Sequence, residues 1–170
     1  MKAYIGLGAN LGDLPATLRA ALEALSGLPA SRLLAVSSGW RSAPVDAGRP
    51  DFLNAVACLD TALAPLALLD ALQAIEQAHG RERPYRNAPR TLDLDLLLIE
   101  GQVWSDERLQ LPHPRLHERA FVLRPLLELA PELALPGLGR LQTHLAAVAD
   151  QRLHHDGALW PQPGSASRPG

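Results

Sequence analysis

The sequence predicts an α+β fold with a ferredoxin-like βαββαβ core, elaborated into a three-layer α/β/α sandwich. The predicted elements run strand, helix, strand, strand, helix, strand, and further helices follow the fourth strand, where they could cover the second face of the sheet. The chain has 170 residues, 47% of them hydrophobic, which favours one compact domain. We expect this domain at residues 1–155 and a flexible tail, rich in Pro, Gly and Ser, at 156–170.

The first half of the chain carries two local patterns that predict its elements. Residues 3–7 are apolar and partly β-preferring, which indicates a buried strand. Asp13 then caps a helix whose leucines recur at spacings of 4, 4 and 3 residues, and Gly27 ends it. Strands are predicted at 31–40 and 52–63, joined by a loop with two prolines.

The second half contains the clearest predicted strand. A helix is expected from Pro65 to Gly80, with an apolar residue at every third position. A polar loop leads to the strand at 92–100. A helix at about 118–130 and a short C-terminal helix near 141–149 follow.

The composition excludes several classes of protein. Sixteen basic and 18 acidic residues give a formal net charge of −2, which argues against coating nucleic acid through bulk charge. The single cysteine, Cys58, cannot form an internal disulfide, and no apolar signal region is present, so we expect a cytoplasmic protein. The densest apolar run, 92–99, is too short to span a bilayer, and no heptad pattern indicates pairing. We expect a monomer that binds neither nucleic acid nor membrane.

Two aspartates on the clearest strand are the strongest candidates for a functional site. Residues two apart in a strand share a face, so Asp93 and Asp95 project together while Leu92, Leu94 and Leu96 point the other way. Two carboxylates ~5 Å apart would repel by about 3 kcal/mol at an effective dielectric of ~20. Mg²⁺ would neutralise them, since it prefers oxygen ligands and completes its shell with water and phosphate oxygens. A solvated strand face and ion pairs with nearby arginines are the alternatives.

An arginine-rich loop precedes the aspartates and points to phosphate binding. With Glu82, its four arginines give a local charge of +3 within ten residues: Arg81, Arg83, Arg86 and Arg90. Metal ions and guanidinium groups can together hold a polyphosphate, as Mg²⁺-nucleotide chemistry requires. His113, fixed between two prolines, and the flanking Arg108 and Arg119 are further candidate phosphate donors. A solvated basic loop that only pairs with the aspartates is the alternative.

Glycines near the start do not form a known phosphate motif. The segment 6–12 misplaces the third glycine of the dinucleotide fingerprint, and the chain has no P-loop. We expect these glycines to permit a tight turn and close packing beside the site.

Two phenylalanines and an asparagine could bind a flat heterocycle. If Phe52 and Phe121 line a cleft, they could stack on both faces of a ring, and the Asn54 amide offers a donor and an acceptor to its edge. Core packing is the alternative for both phenylalanines.

The sequence resembles the 6-hydroxymethyl-7,8-dihydropterin pyrophosphokinase family of folate biosynthesis. Residues 86–97 follow its signature: a basic residue, any residue, a small residue, usually Pro, then Arg, two residues, Asp, an aliphatic, Asp and two aliphatics. Four further segments match in the family's order: 4–12, 50–55, 112–114 and 119–123. The resemblance spans about residues 3–136.

The resemblance implies transfer of the β,γ-pyrophosphoryl group of ATP to the hydroxymethyl oxygen of the pterin, with release of AMP. It implies that Asp93 and Asp95 hold two Mg²⁺ ions and act in catalysis with Arg81, Arg83 and Arg90. ATP, as co-substrate, would contact Gln73, Glu76, Arg81, Leu96, Arg108, His113 and Arg119. The pterin would contact Ser42, Val45, Phe52, Asn54 and Phe121.

The chain departs from the family at three places. Asn87-Ala88 stands where many members have Trp-Gly, in a loop one residue shorter, so its closure over substrates can differ. Phe52 replaces a frequent Tyr, which preserves stacking but removes a hydroxyl. Pro114 replaces a Tyr of some members, so no side-chain phosphate contact is expected there.

Two other classes of function compete with this interpretation. The first is a non-catalytic ferredoxin-like module that binds RNA or a regulatory ligand. Such RNA-binding sheets usually display aromatic side chains, whereas this strand displays aspartates, which would repel phosphates without metal. The second is a Mg²⁺-dependent phosphoryl or nucleotidyl transferase with another acceptor, which its nucleotide product would reveal.

Overall fold

The computed structural model describes residues 1–43, 51–80 and 92–161. Helices pack on an antiparallel six-stranded sheet, which confirms the α+β class. In chain order the elements are β1 (Lys2–Ala9), α1 (Leu14–Ser26), β2 (Ser31–Val36), β3 (Ser38–Ser42), β4 (Phe52–Thr61), α2 (Pro65–Gly80), β5 (Asp93–Ile99), β6 (Trp104–Ser105), β7 (Gln110–Leu111), a 3-10 turn (Leu116–Glu118), α3 (Ala120–Leu129), β8 (Ala134–Leu135), β9 (Gly139–Arg140), a 3-10 helix (Leu141–Val148) and β10 (Leu153–Ala158).

β4 is the central strand of the sheet, and β1 lies between β4 and the edge strand β5. The strand order is β10-β3-β4-β1-β5, with β2 also paired to β4, and every pairing is antiparallel. β6 with β7 and β8 with β9 form two small separate hairpins. None of the helices in the described part of the chain is long and apolar enough to cross a membrane.

The larger core lies between one face of the sheet and helices α1 and α2. Ile5 of β1, Leu18 and Leu22 of α1, and Leu68 and Leu72 of α2 are all fully buried there. The apolar periodicity of both helices is thus accounted for by one shared core.

The second core lies on the opposite face, under α3 and the 3-10 helix. Tyr4 lies opposite Leu98, whereas Ile5 lies opposite Leu96, so β5 carries one extra residue at this point. This bulge puts both Leu97 and Leu98 into the second core and interrupts the alternation of β5.

Helices α1 and α2 form where the sequence predicts them. The Asp13 carboxylate accepts a hydrogen bond from the Ala16 amide at 3.1 Å, and the chain leaves α1 at Gly27. α2 begins at Pro65 and ends at Gly80. The C-terminal helix also forms, but as a 3-10 helix, and a 3-10 turn precedes α3.

The predicted single strand at 31–40 is wrong, because Ser37 divides it into β2 and β3. The Ser37 amide donates to the Val56 carbonyl at 2.8 Å, and the Val56 amide donates to Ser37 Oγ at 2.9 Å. A side-chain oxygen thus replaces a backbone carbonyl in the ladder, and both strands still pair with β4. The next strand ends at Thr61, two residues earlier than predicted.

The predicted start of a flexible tail at residue 156 is also wrong. β10 pairs with β3 at the edge of the sheet, and Asp156 forms an ion pair with Arg41 at 3.1 Å. Leu159 is only 7% exposed, and its carbonyl accepts a hydrogen bond from Arg19 at 3.3 Å. Packing and pairing with distant parts of the chain order this segment despite its polar composition. Residues 162–170 lie outside the described residues.

Candidate active site

The two aspartates of β5 share the face of the sheet on which α3 packs. Asp93 is half-buried and Asp95 is exposed, whereas Leu92, Leu94 and Leu96 are buried on the opposite face. The predicted alternation is therefore confirmed for this part of the strand. It places two carboxylates side by side ahead of the bulge.

The glycines of β1 leave the floor beside the aspartates without side chains. Gly8 lies directly opposite Asp93, and Gly6 lies directly opposite Asp95. On its other side, Gly8 pairs with Asn54 of β4. Gly6 and Gly8 belong to the strand and provide the expected close packing, whereas the turn forms at Gly12, whose φ is 75°. Asn54, Gly8, Asp93 and Asp95 lie on one face across three strands, and we call them the polar strip. Gly6 lies beside this strip, where the Leu97 side chain packs against it.

Asn54 is held in place by the neighbouring strand. Its Nδ2 donates to Ser42 Oγ at 2.8 Å and to the Trp40 carbonyl at 3.0 Å. Its Oδ1 faces Gly8, where a Cβ would lie 3.4 Å away. Asn54 is 6% exposed, so its amide is oriented before any ligand arrives. Phe52 lies opposite Ser42, on the same face.

Phe121 and Arg119 reach this face from the start of α3. Phe121 is partly buried against the second core, and the Arg119 guanidinium carbon lies 5.7 Å from the centre of its ring. This is the distance of a cation–π contact. The two phenylalanines therefore come from different elements but lie on the same face of the sheet.

His113 lies beside β5 and is electrostatically coupled to Asp95. Its amide donates to the Leu97 carbonyl at 2.7 Å, and its Nδ1 accepts from the Arg115 amide at 3.1 Å. The proton of the neutral ring is therefore on Nε2. Burial, opposed by Asp95 and assisted by Arg119 and Arg115, lowers the pKa of His113.

Four of the residues assigned to the nucleotide lie on α2, on β5 or on the loop that contacts α2. The Glu76 carboxylate on α2 accepts a hydrogen bond from the Leu94 amide at 2.8 Å. The Arg108 guanidinium bonds Asp70 and lies 3.4 Å from Gln73 Oε1, also on α2. Leu96 on β5 is buried, 4% exposed.

Asp106, which the sequence analysis missed, organises the loop that carries Arg108. Its carboxylate accepts hydrogen bonds from Trp104 Nε1 and from the amides of Arg108 and Leu109, at 2.8, 2.8 and 2.9 Å. The Trp104 hydrogen bond is the main reason that the pKa of Asp106 is lowered. The sequence signal that could have indicated this role is an aspartate in a turn, two residues before an arginine. Asp106 shapes the loop that carries Arg108 to α2.

Four predicted site residues cannot be placed. Val45, Arg81, Arg83 and Arg90 lie outside the described residues, as do Arg86, Glu82 and the Asn87-Ala88 departure. The arginine-rich loop therefore stays a prediction from the sequence.

The described residues contain no cluster of three or more His, Cys, Asp or Glu that could hold a metal. Two adjacent carboxylates are enough for Mg²⁺, which takes one or two from the protein and leaves the remaining positions to water and phosphate. The donor set of the polar strip therefore suits a hard divalent cation that arrives with a polyphosphate.

Comparison with known proteins identifies the family. Residues 4–131 match the family model described as 7,8-dihydro-6-hydroxymethylpterin-pyrophosphokinase. A 2-amino-4-hydroxy-6-hydroxymethyldihydropteridine pyrophosphokinase of Pseudomonas aeruginosa is 51% identical over 147 residues, which cover 86% of this chain and 91% of the relative. The enzyme of the same name from Haemophilus influenzae is 43% identical over 154 residues, covering 90% and 96%.

Solved structures support the fold. A Plasmodium falciparum HPPK-DHPS structure with pterin and p-hydroxybenzoate superposes with a TM-score of 0.66 at 13% identity, covering 88% of this chain. This chain spans 44% of that longer one, so the similarity concerns one part of it. The chain belongs to the 7,8-dihydro-6-hydroxymethylpterin-pyrophosphokinase family, whose enzymes transfer pyrophosphate from ATP to hydroxymethyldihydropterin in folate biosynthesis.

Proposed function

We propose that this chain is an ATP- and Mg²⁺-dependent pterin pyrophosphokinase whose two substrates meet on the polar strip. The hydroxymethyl oxygen of 6-hydroxymethyl-7,8-dihydropterin forms a bond to the β-phosphorus of ATP. The bond from that phosphorus to the oxygen shared with the α-phosphate breaks, AMP leaves, and the hydroxyl proton is released. The observation that carries the proposal is the pairing of Asp93 with Gly8 and of Gly8 with Asn54, in a chain of this family.

The fold proposed for this chain is the ferredoxin-like sandwich. β2 and β3 together can be counted as the second core strand, with β1 as the first, β4 as the third and β5 as the fourth. The core strands then lie in the order second, third, first, fourth, with helices on both faces of the sheet. This arrangement supports the split βαβ core expected from the sequence. We propose a single domain of residues 1–155, and β10 extends it to Ala158.

Asp93 and Asp95 would hold two Mg²⁺ ions. Bound there, the ions would neutralise the phosphate charges and lower the pKa of the substrate hydroxyl. Asp95 is exposed and Asp93 half-buried on a face without neighbouring β1 side chains, which supports this role. His113 would donate through Nε2 to a phosphate oxygen, because its Nδ1 already accepts from the Arg115 amide. Arg81, Arg83, Arg90 and Arg119 would supply further positive charge.

The pterin would lie over Asn54, with Phe52 and Phe121 stacking on its ring. The Ser42 and Trp40 contacts fix the Nδ2 of Asn54 and so define where its carbonyl oxygen points. An oriented amide distinguishes the edge of a pterin from that of other heterocycles. Ser42 and Val45 would complete this pocket.

The adenosine end of ATP would lie at the outer edge of β5. Gln73 and Arg108 are already close to each other, and Leu96 lies in the adjacent core. Glu76 completes this group on α2. The two substrates would therefore approach the aspartates from opposite sides of β5.

Catalysis would rest on positioning and charge neutralisation. No covalent intermediate is proposed, since direct transfer between two bound substrates needs none. We place the reaction in the cytoplasm and on a monomer, in keeping with the sequence-based expectations. Neither nucleic acid nor membrane takes part.

Product analysis tests the proposal. The protein is incubated with ATP, Mg²⁺ and the pterin, and nucleotides are separated by chromatography, with controls lacking pterin or containing EDTA. AMP that depends on both pterin and metal is expected. ADP would indicate an ordinary kinase, pyrophosphate a nucleotidyl transferase, and no turnover by folded protein would favour the binding module.

A further inference from the structure

The hydrogen bond between Glu76 and Leu94 joins helix α2 to the backbone between the two aspartates. Glu76 Oε2 accepts from the Leu94 amide at 2.8 Å. Leu94 is the residue between Asp93 and Asp95, and its side chain is 5% exposed in the larger core. Glu76 thus acts at the centre of the three-residue segment that carries both carboxylates.

β5 needs such a support because it is the last strand of the sheet. Its inner edge pairs with β1, and no further strand follows on the outer edge among the described residues. An amide on that edge would depend on water for its hydrogen bond. A carboxylate acceptor makes this bond charge-assisted and therefore stronger than a neutral one.

We infer that Glu76 is a positioning residue, which fixes the backbone at Leu94 so that Asp93 and Asp95 stay side by side on the polar strip. This inference rests on the proposed function in treating the two aspartates as Mg²⁺ ligands. The aspartates repel one another, and a fixed backbone prevents them from turning apart. The resemblance to the family, by contrast, assigns Glu76 to the nucleoside.

Conservative variants separate the reach of the Glu76 side chain from its charge. Glu76→Gln keeps the length of the side chain and an oxygen that can accept from the Leu94 amide, but it removes the charge. Glu76→Asp keeps the charge but shortens the side chain by one methylene. Positioning by this hydrogen bond requires reach, so Gln should restore part of what Glu76→Ala and Glu76→Asp lose.

Amide hydrogen exchange tests the contact without any substrate. In metal-free protein, NMR should show exchange of the Leu94 amide accelerated at least about tenfold in Glu76→Ala and Glu76→Asp, because a hydrogen bond to a charged group contributes that much or more. Glu76→Gln, which can keep a neutral hydrogen bond, should exchange faster than the parent but clearly more slowly than Glu76→Ala and Glu76→Asp. Gln77→Ala, exposed on the same helix, is the matched control and should leave the rate unchanged. Unchanged exchange in both Glu76→Ala and Glu76→Asp would overturn the inference, whether or not the protein forms AMP.

Binding measurements separate positioning from nucleoside contact. In Glu76→Asp, the Mg²⁺ concentration for half-maximal AMP formation should rise several-fold, while the affinity for AMP in EDTA stays within about twofold. A loss of AMP affinity in EDTA with an unchanged Mg²⁺ requirement would overturn the inference and leave Glu76 as a nucleoside contact. Failure of the parent protein to form AMP would refute the proposed function instead, and the exchange rates would still decide the Leu94 contact.

Discussion

Gly8 and Asp93 lie directly opposite one another across β1 and β5, on the face of the sheet where α3 packs. Because Gly8 has no side chain, the surface from Asp93 to Asn54 stays open across three strands. This relationship depends on register rather than on any local motif.

Replacing Gly8 by alanine should impair pterin use without unfolding the protein. The added methyl would lie 3.4 Å from Asn54 Oδ1, an ordinary contact, so the strand tolerates it. It would, however, occupy the floor between the carboxylates and the amide. We expect kcat/KM for the pterin to fall at least about tenfold, with ATP affinity nearly unchanged. Gly27→Ala, at the end of α1, is the control. Full pterin turnover in Gly8→Ala would place the pterin elsewhere.

Asp95→Asn should abolish turnover and leave the fold intact. The substitution removes one of two neighbouring negative charges, so the melting temperature should stay the same or rise. Turnover should fall by about three orders of magnitude, since an amide is a poor Mg²⁺ ligand. Calorimetry and the AMP assay measure both effects, with the exposed Asp150→Asn as control. Turnover close to that of the parent would contradict the metal role.

His113 should titrate below its ordinary pKa of about 6.5 in metal-free protein. Burial first, then Arg119 and Arg115, disfavour the charged ring, and the Arg115 amide needs an unprotonated Nδ1. The folded state therefore prefers neutral His113. Its contribution to stability is present above about pH 6.5 and is lost as the pH falls through the folded-state pKa.

An NMR titration of the His113 ring in EDTA measures this pKa. Urea unfolding of the parent and of His113→Gln between pH 7 and 5 should show the parent losing more stability on acidification. A pKa at or above 6.5 would show that Asp95 outweighs burial.

Asp106→Ala should weaken nucleotide binding through Arg108. The variant loses the acceptor for Trp104 and for two backbone amides, so the loop that carries Arg108 is no longer fixed. We expect a several-fold rise in the KM for ATP with little change in kcat. Asp106→Asn retains Oδ1 as an acceptor and should be milder. Because the pKa of Asp106 is lowered, its contribution is present above about pH 4 and is lost as the pH falls further. Equal ATP affinity in Asp106→Ala and the parent would show that the loop does not need this turn.

Leu159→Ala should destabilise the fold by about 2–4 kcal/mol, the usual cost of removing a buried leucine side chain. Leu159 lies in the larger core and packs closely against Gly39. A Cβ added to Gly39 would lie only 3.2 Å from the Leu159 side chain. Urea unfolding measures the change in the free energy of unfolding. Val103→Ala, 70% exposed, is the control and should cost little. A change below about 0.5 kcal/mol would mean that the segment after β10 does not support the core.

Local signals predicted the elements that depend on nearby residues. The Asp13 cap, the leucine spacing and Gly27 define α1 within one short segment, and the alternation of Asp93, Leu94 and Asp95 is a property of a single strand. Both could be derived from the sequence because the interactions that decide them lie within a few residues.

The features that the sequence did not predict depend on distant partners. Ser37 breaks a strand by bonding Val56 of β4, and β10 forms because β3 offers an edge more than 100 residues earlier in the chain. The Glu76 contact with Leu94 likewise requires α2 and β5 to be packed together. Spacing and composition do not report such partners, so these features appear only in the folded chain.

The most direct test is a crystal structure with Mg²⁺, the pterin and α,β-methylene ATP, because this analogue replaces the bond that must break. We expect two Mg²⁺ ions bound by Asp93 and Asp95, and the pterin over Asn54 with its hydroxymethyl group directed toward the β-phosphate. Metal ions bound away from both aspartates, or a pterin that does not contact Asn54, would contradict this expectation.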